Sequence, residues 1–294
     1  MAARNIKNQQ KLRLVKQGQT MWNARIGVTI LAGLSISLAT VISGCTTSDQ
    51  GWKGALEHYQ ADDRRSGYTY REPEQQAIQN DDFQNPGMIL VDDGEQLWSK
   101  IDGAAGKSCA SCHSDASKTM KAIGAHYPIF DEKLGKMKNL EQQINICRKD
   151  RMNAKPYKYE SSSLLAMTTF VRHQSRGLPV KVIVDGAAEP FFQKGKELYN
   201  KRVGQLDMAC SNCHVENAGN KARADTLSQG QSNGFPTYRS KWQKVGSIHR
   251  RFRGCMKNIR ATPYKYGSDE YVNLEFYLAW KGRDLLVETP AYRN

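Results

Sequence analysis

Two copies of a short cysteine–histidine motif constrain this chain more than any other feature of its sequence. Residues 109–113 read CASCH and residues 210–214 read CSNCH, so both have the spacing C-x-x-C-H. In this spacing two thiols add to the vinyl groups of one haem, and the imidazole of the following residue reaches the iron. A lone C-x-x-C is also found in redox dithiols and in zinc half-sites. Two copies, each with its histidine, predict two covalently bound haem c groups.

Three of the seven cysteines lie outside these boxes, at positions 45, 147 and 255. Cys45 belongs to the N-terminal leader. Cys147 and Cys255 could form a structural disulfide with each other, or each could be the sixth ligand of one haem iron. The other residues able to supply a sixth ligand are Met120, His126, Met137 and Met152 in the first half and His249 and Met256 in the second.

An internal repeat favours ligation over the disulfide. Each box begins 15 residues after a glycine, in the similar runs Gly94-Glu-Gln-Leu-Trp98 and Gly195-Lys-Glu-Leu-Tyr199. Cys147 precedes a PYKY tetrapeptide by nine residues, and Cys255 precedes the second PYKY by eight. The two cysteines are therefore equivalent, and serving the haem of its own unit requires nothing beyond the repeat. A thiolate donates more electron density than the Met or His of an ordinary cytochrome c, so His/Cys haems are expected to have low potentials.

Helical patterns dominate and strand patterns are few, so the fold class is mainly α: two tandem cytochrome c-type domains preceded by a loop-rich N-terminal arm. An amphipathic helix follows each PYKY, one over Ser163–Arg176 and one over Asp269–Lys281 with Ser268 as its N-cap. The arm is expected to wrap the first domain or to act as a spacer from the membrane. The predicted boundaries are 1–44 for an export signal, 45–89 for the arm, 90–178 for the first haem domain, 179–190 for a linker, 191–287 for the second haem domain and 288–294 for a tail.

The N-terminal 44 residues have the pattern of an export signal. Residues 1–25 carry six basic residues and no acidic one, and an apolar run of 18 residues follows from Ile26 to Ser43. The ending Ile42-Ser-Gly-Cys45 resembles a bacterial lipobox, which favours a lipidated Cys45 that tethers the protein to a membrane. Ordinary cleavage and an uncleaved membrane anchor are the alternatives. All three place the remaining chain outside the cytoplasm, in the periplasm.

The chain is basic, with a formal net charge of +14 that falls to about +8 without the leader. Export excludes nucleic acid as the partner of this charge. A basic surface outside the cytoplasm is expected to attract an anionic substrate or an acidic protein, or it is simply well solvated.

Positive charge is concentrated around Cys255. The segment His249-Arg-Arg-Phe-Arg-Gly-Cys-Met-Lys-Asn-Ile-Arg260 places five basic side chains within six residues of this sulfur. Cations favour the nucleophilic thiolate, and guanidinium groups bind oxyanions. A thiolate, a haem and a rim that binds oxyanions together predict redox chemistry on a sulfur oxyanion; a solvated basic turn beside a structural ligand is the alternative.

The run FRGCMKNIRATPYKYGSDEYVNLEFYLAWKGR, together with the upstream boxes, resembles the SoxA family, the dihaem c-type cytochrome subunit of the sulfur-oxidation (Sox) L-cysteine S-thiosulfotransferase. The resemblance covers about residues 85–287. It implies a heterodimer with the monohaem cytochrome SoxX, and oxidative coupling of thiosulfate to a cysteine of the sulfur carrier protein SoxYZ. Two electrons then pass through haem to a further cytochrome c. A lipobox is a departure from the usual soluble pattern of this family.

The resemblance also implies roles for individual residues. Cys255 is the site of chemistry and is found as a persulfide in the family, and Arg251 matches an arginine that precedes the active cysteine by four residues. Arg253 and Lys257 are further candidates for holding the sulfonate. The implied haem-binding residues are Cys109, Cys112, His113 and Cys147 for the first haem and Cys210, Cys213, His214 and Cys255 for the second, with His113, Cys147, His214 and Cys255 on iron.

Two other functions remain open on the sequence. A non-catalytic dihaem periplasmic electron carrier would have Met or His sixth ligands and no dependence on thiosulfate. A dihaem peroxidase would need one haem with an open or displaceable coordination site, which the paired cysteines argue against.

Overall fold

The structure is a computed structural model that describes residues 59–294. The leader, Cys45 and the first part of the arm lie outside these residues, so the export signal and the lipid anchor stay predictions. In the described part of the chain, no helix is both long enough and apolar enough to cross a membrane.

The described chain is mainly helical, with short strands, as the sequence predicts. Its α-helices are α1 (Pro73–Asn80), α2 (Ile89–Ser99), α3 (Ala110–His113), α4 (Ala116–Thr119), α5 (Ile123–His126), α6 (Leu140–Met152), α7 (Ser162–His173), α8 (Glu189–Asn200), α9 (Cys210–His214), α10 (Ile248–Asn258) and α11 (Asp269–Lys281). Its strands are β1 (Gln60–Ala61), β2 (Arg64–Arg65), β3 (Ile129–Asp131), β4 (Lys136–Lys138), β5 (Lys221–Ala222), β6 (Asp225–Thr226), β7 (Thr237–Arg239), β8 (Lys244–Gly246) and β9 (Ala291–Arg293).

The same arrangement of helices occurs twice. In the first unit α2 packs on α7, and in the second unit α8 packs on α11. The two glycines of the sequence repeat lie at these crossings: a Cβ on Gly94 would come within 2.4 Å of the Ala166 carbonyl oxygen, and a Cβ on Gly195 would come within 2.1 Å of the Asn273 carbonyl oxygen. Glycine is therefore required at each crossing because the backbones approach too closely for a side chain.

The helices after the PYKY segments form where the sequence predicts them. The helix α11 has the predicted bounds, and its Tyr271, Leu274, Tyr277 and Leu278 are all buried. Ser268 is its N-cap residue, although its hydroxyl makes no capping hydrogen bond. The helix α7 ends at His173, three residues before the predicted end.

Antiparallel hairpins lie between the haem box and the lone cysteine of each unit: β3 with β4 in the first unit and β7 with β8 in the second. The strand β9 from the C-terminal tail adds in parallel to β7. Met137 of the first hairpin is buried within the core of the second unit, beside α11. The two units thus share hydrophobic contacts.

The sequence predicts that the arm wraps the first unit or acts as a spacer from the membrane, but its described part lies chiefly against the second unit. Arg64 donates to the carbonyl oxygen of Arg283, the Arg65 N–H donates to Gln229, and Arg71 binds Asp225. One ion pair, between Asp82 and Arg176, reaches the first unit. The arm lies chiefly against the second unit because the loops and the tail there offer acceptors for its arginines.

Candidate functional site

The second C-x-x-C-H box forms the short helix α9, whose His214 is held by a backbone carbonyl. His214 Nδ1 lies 2.7 Å from the carbonyl oxygen of Ser228. An N–H at Nδ1 donates to this oxygen, which leaves Nε2 free to bind a metal. Gly230, with φ +76°, closes the loop against the imidazole, since a Cβ there would lie 2.8 Å from His214 Cγ.

Cys255 lies next to this histidine. It begins the last turn of α10, a helix whose N-cap Ser247 accepts from the N–H of Arg250. The thiol is within hydrogen-bonding reach of the His214 side chain. A negative charge on Cys255 raises the pKa of both Cys210 and Cys213, the two thiols of the box. The fold therefore brings the box and the lone cysteine of the second unit into one site.

The surroundings of Cys255 favour its thiolate. Burial by itself would raise the pKa of this thiol, but Arg251, the hydrogen bond with His214 and the charge of Arg239 outweigh burial and lower the pKa to about 6. Burial and the neighbouring Cys255 instead raise the pKa of Cys210 to about 12. Among these thiols, Cys255 is the one that the surroundings prepare as a nucleophile or a metal ligand.

In the first unit the lone cysteine also lies near the box, but its neighbour is a glutamine instead of an arginine. Cys147 lies on α6, and a negative charge there raises the pKa of Cys109 of the first box. The Gln143 amide donates to Cys147 Sγ at 3.0 Å. The Trp98 ring packs near His113, with centroids 5.8 Å apart, and His113 is otherwise exposed.

These donor sets fit a haem c in each unit. In each unit a box of two thiols and a histidine lies near a third thiol, and in the second unit the hydrogen bond at Nδ1 fixes the tautomer in which Nε2 can bind iron. None of the six cysteines within residues 59–294 forms a disulfide.

Two of the alternative sixth ligands are engaged elsewhere. His249 is buried, its Nδ1 accepts from the N–H of Gly267 at 3.1 Å, and its Nε2 lies 3.0 Å from a Glu275 carboxylate oxygen. Met137 lies in the core of the second unit.

The predicted basic residues on α10 point to different surroundings. The positive charge of Arg251 stabilises the negatively charged forms of Cys255, Cys213 and Asp225. Arg253 donates to the carbonyl oxygen of Tyr264, and its guanidinium lies 4.7 Å from the centre of the Tyr266 ring. Lys257 is exposed on the last turn of the helix.

The structure adds charged residues to the site that no sequence pattern indicates. Arg239, at the end of β7, is 7% exposed and lies near both Cys255 and Arg251. Asp225 on β6 pairs with Arg239 and with Arg71 of the arm. No local motif marks these residues, because strand pairing and the path of the arm bring them to Cys255 from distant parts of the chain.

The chain matches one family over both haem units. The model of the SoxA/TsdA cytochrome c domain matches residues 93–180 and 194–287. The L-cysteine S-thiosulfotransferase subunit SoxA of Pseudaminobacter salicylatoxidans is 47% identical over 241 residues, which cover 82% of this chain and 84% of that protein. The subunit of the same name from Rhodovulum sulfidophilum is 43% identical over 233 residues, covering 79% and 81%.

A solved structure agrees with the sequence relatives. In the crystal structure of SoxXA from P. pantotrophus, a chain that is 42% identical superimposes with a TM-score of 0.76, covering 79% of this chain and 87% of that one. The fold class and the family predicted from the sequence are thereby confirmed. This chain belongs to the SoxA/TsdA cytochrome c family.

Proposed function

We propose that this chain is the cytochrome subunit of an L-cysteine S-thiosulfotransferase that couples thiosulfate oxidatively to a cysteine of the carrier protein SoxYZ. Relatives at up to 47% identity carry the name of this subunit, which supports the activity. The single observation that carries the proposal is the position of Cys255, whose thiol lies beside His214 of the box and one helical turn after Arg251. A thiol next to a guanidinium is what sulfur transfer from an anionic donor requires.

Two covalently attached haem c groups belong to this proposal. Cys109, Cys112, His113 and Cys147 would hold the first haem. Cys210, Cys213, His214 and Cys255 would hold the second, with the histidine and the lone cysteine of each unit on the iron. When bound, the haems supply the path by which electrons leave to an acceptor cytochrome c.

Arg251 is the proposed anchor for the substrate. It lies one helical turn before Cys255, so the two side chains share one face of α10. A guanidinium binds the oxygens of a sulfonate with paired hydrogen bonds. Thiosulfate held in this way directs its outer sulfur toward Cys255 Sγ.

The proposed chemistry has two steps. Cys255 Sγ and the outer sulfur of thiosulfate form a sulfur–sulfur bond, and two electrons pass to the acceptor cytochrome c. The thiolate of the carrier cysteine then attacks the outer sulfur, the bond to Cys255 breaks, and Cys255 leaves as a thiolate. The net reaction joins the carrier thiol to thiosulfate and releases one proton and two electrons.

Arg253 and Lys257 have supporting roles in this proposal. The contacts of Arg253 with Tyr264 and Tyr266 support a role in holding the PYKY loop behind Cys255. Lys257 is exposed and would attract anions toward the site from solution.

The partners and the location follow from the same proposal. The similar solved structure is that of SoxXA, which supports a heterodimer with the monohaem cytochrome SoxX. The export signal supports action in the periplasm, and the lipobox at Cys45 supports a membrane tether.

Peptide mapping by mass spectrometry tests the proposal. The exported protein is purified without reductant, and its cysteine peptides are mapped. Two haem-bearing peptides and a Cys255 that is not paired with Cys147 are the expected result; an extra sulfur on Cys255, as the family resemblance implies, would show that the cysteine receives sulfur. A Cys147–Cys255 disulfide would remove both proposed thiolate ligands and leave the plain electron carrier. Full thiosulfate-dependent reduction of cytochrome c by a Cys255→Ala protein would overturn the mechanism.

The peroxidase alternative has its own measurement. Turnover of hydrogen peroxide at a rate comparable to that of thiosulfate would favour it. We expect none, because a cysteine faces the box histidine in the second unit.

A further inference from the structure

A three-residue segment of the second unit contacts the imidazole of His214 on one side and the N-terminal arm on the other. Its residues are Ser228, Gln229 and Gly230, and we call it the histidine loop. The carbonyl oxygen of Ser228 lies 2.7 Å from His214 Nδ1, and a Cβ on Gly230 would lie 2.8 Å from His214 Cγ. The position of this main chain therefore determines where the imidazole can lie and how strongly its Nδ1–H is hydrogen-bonded.

The histidine loop has little support of its own. It follows the hairpin of β5 and β6, whose strands are two residues long. Within residues 59–294, no hydrogen bond between two main-chain groups fixes Ser228, Gln229 or Gly230. The N–H of Gly230 donates to Ser228 Oγ at 3.2 Å, which is a contact inside the loop. A loop held in this way takes its position from the side chains that bind it to other segments.

The arm supplies these contacts. The side-chain oxygen of Gln229 accepts from the N–H of Arg65 at 2.7 Å, and its amide donates to the carbonyl oxygen of Asp63 at 2.8 Å. The carboxamide thus pairs with the main chain at β2 as a neighbouring strand would. Just before the loop, Arg71 Nη2 donates to the carbonyl oxygen of Thr226 at 2.7 Å. The Arg71 side chain is 6% exposed, so water competes little for this contact.

This support belongs to the second unit. The strand β7 begins 23 positions after His214, whereas β3 begins 16 positions after His113. The longer segment of the second unit contains β5, β6 and the histidine loop. His113 of the first box is exposed. The first haem site is therefore an internal control for any effect that the arm has on the second.

We propose that the N-terminal arm positions His214 by holding the histidine loop through Gln229, and that this contact sets the redox potential of the second haem. The inference rests on the part of the proposed function in which His214 binds the iron. Gln229 acts through His214 and is a positioning residue. A carbonyl held firmly against Nδ1–H makes the imidazole a stronger electron donor, which favours the oxidised haem and lowers its potential.

Redox titration of the full-length, haem-loaded protein in the absence of thiosulfate tests the proposal. In Gln229→Ala the histidine loop is released from the arm, the hydrogen bond to His214 weakens, and the midpoint potential of the second haem rises. We expect the equilibrium constant for its reduction to change about threefold, which is about 30 mV at about 59 mV per tenfold for one electron. The first haem keeps its potential. A Cys255→Met protein identifies the second haem as the one whose potential it shifts.

Further variants separate positioning from charge and from general stability. Arg71→Lys keeps the positive charge but loses the paired contacts of the guanidinium, and it raises the potential of the second haem by a smaller amount. Gln193→Ala, on an exposed glutamine of α8, is the matched control and leaves both potentials unchanged. Urea unfolding and the visible haem spectrum of each variant show whether it folds as wild type does.

The outcomes separate this inference from the proposed function. An unchanged or lower potential of the second haem in a folded Gln229→Ala protein overturns the inference, even where the variant is less stable, because the arm would then serve the fold alone. Equal shifts of both haems overturn it as well. A wild-type protein that never turns over thiosulfate, but whose Gln229→Ala variant shows the expected shift, overturns the proposed function and leaves the positioning role in place.

Discussion

Gln143 occupies in the first unit the position that Arg251 occupies in the second, four residues before the lone cysteine. The Gln143 amide donates to Cys147 Sγ at 3.0 Å, whereas Arg251 brings a positive charge to Cys255. A neutral amide can stabilise a thiolate ligand, but it binds an oxyanion far more weakly than a guanidinium does, because it lacks the positive charge and the paired N–H donors. The repeated fold thus carries two chemically different sites, and only the second is equipped for an anionic substrate.

The first prediction concerns this arginine. In Arg251→Gln, kcat/KM for thiosulfate-dependent reduction of cytochrome c falls by about 10²- to 10³-fold, the usual cost of removing one anion-binding donor from an active site. The measurement is steady-state kinetics with the carrier protein present. Arg250→Gln on the preceding residue serves as the control and retains the wild-type rate. A kcat/KM for Arg251→Gln within twofold of wild type would show that Arg251 does not bind the substrate.

The second prediction concerns the hydrogen bond of Gln143. On the proposed ligation of the first haem by Cys147, the thiolate in Gln143→Leu loses a hydrogen-bond donor and donates more electron density to the iron, which lowers the midpoint potential of that haem. The expected shift is on the order of 50 mV, since a hydrogen bond of about 1 kcal/mol acts on a one-electron couple. Spectroelectrochemical titration measures both haems, and the second haem is the internal control. An unchanged midpoint potential of the first haem would contradict a hydrogen bond from Gln143 to Cys147 Sγ.

The third prediction concerns the glycines at the helix crossings. A methyl group in Gly195→Ala meets the Asn273 carbonyl oxygen at 2.1 Å, and one in Gly94→Ala meets the Ala166 carbonyl oxygen at 2.4 Å. Since both obstacles are backbone atoms, the helices must separate, and the free energy of unfolding falls by roughly 2–4 kcal/mol in each variant. Urea unfolding of the haem-loaded protein measures this loss. Glu95→Ala, on an exposed residue beside Gly94, changes stability by less than about 0.5 kcal/mol.

The features that could be predicted from the sequence are those that repeat or that depend on the spacing of residues within a short segment. The two boxes, the equivalence of Cys147 and Cys255 and the bounds of α11 could be derived from it, and the family and function predicted by resemblance agree with the relatives. It was not sufficient for Arg71, Asp225 and Arg239. Arg71 and Asp225 are 154 positions apart and meet only because the arm lies on the second unit.

Local patterns also could not assign roles to the arginines of α10. Arg250, Arg251 and Arg253 are close in the sequence, but a helix turns by about 100° per residue and points each side chain in a different direction. Arg250 stacks over Trp242, Arg253 reaches Tyr264, and Arg251 acts on Cys255. A count of basic residues near a cysteine therefore overstates how many of them take part in its chemistry.

The last prediction is a pH dependence of stability that originates between the two units. Glu141, on the first turn of α6, is buried beside Glu275 and Arg172 in the walls of a small cavity. Burial, reinforced by the charge of Glu275, raises the pKa of Glu141 to about 8. The folded protein therefore binds a proton that the unfolded chain, with an ordinary carboxyl pKa, releases at lower pH.

Because the folded-state pKa of Glu141 is raised, its contribution is fully present at acidic pH and is lost as pH rises toward 8. The free energy of unfolding falls across this window by an amount on the order of a few kcal/mol. Glu141→Gln, which mimics the protonated acid, unfolds with a flatter pH profile and is more stable than wild type at pH 8.5 but not at pH 5. Urea unfolding between these pH values measures the profile, and the exposed Glu132→Gln is the control. Parallel profiles for Glu141→Gln and wild type would show that another group binds the proton.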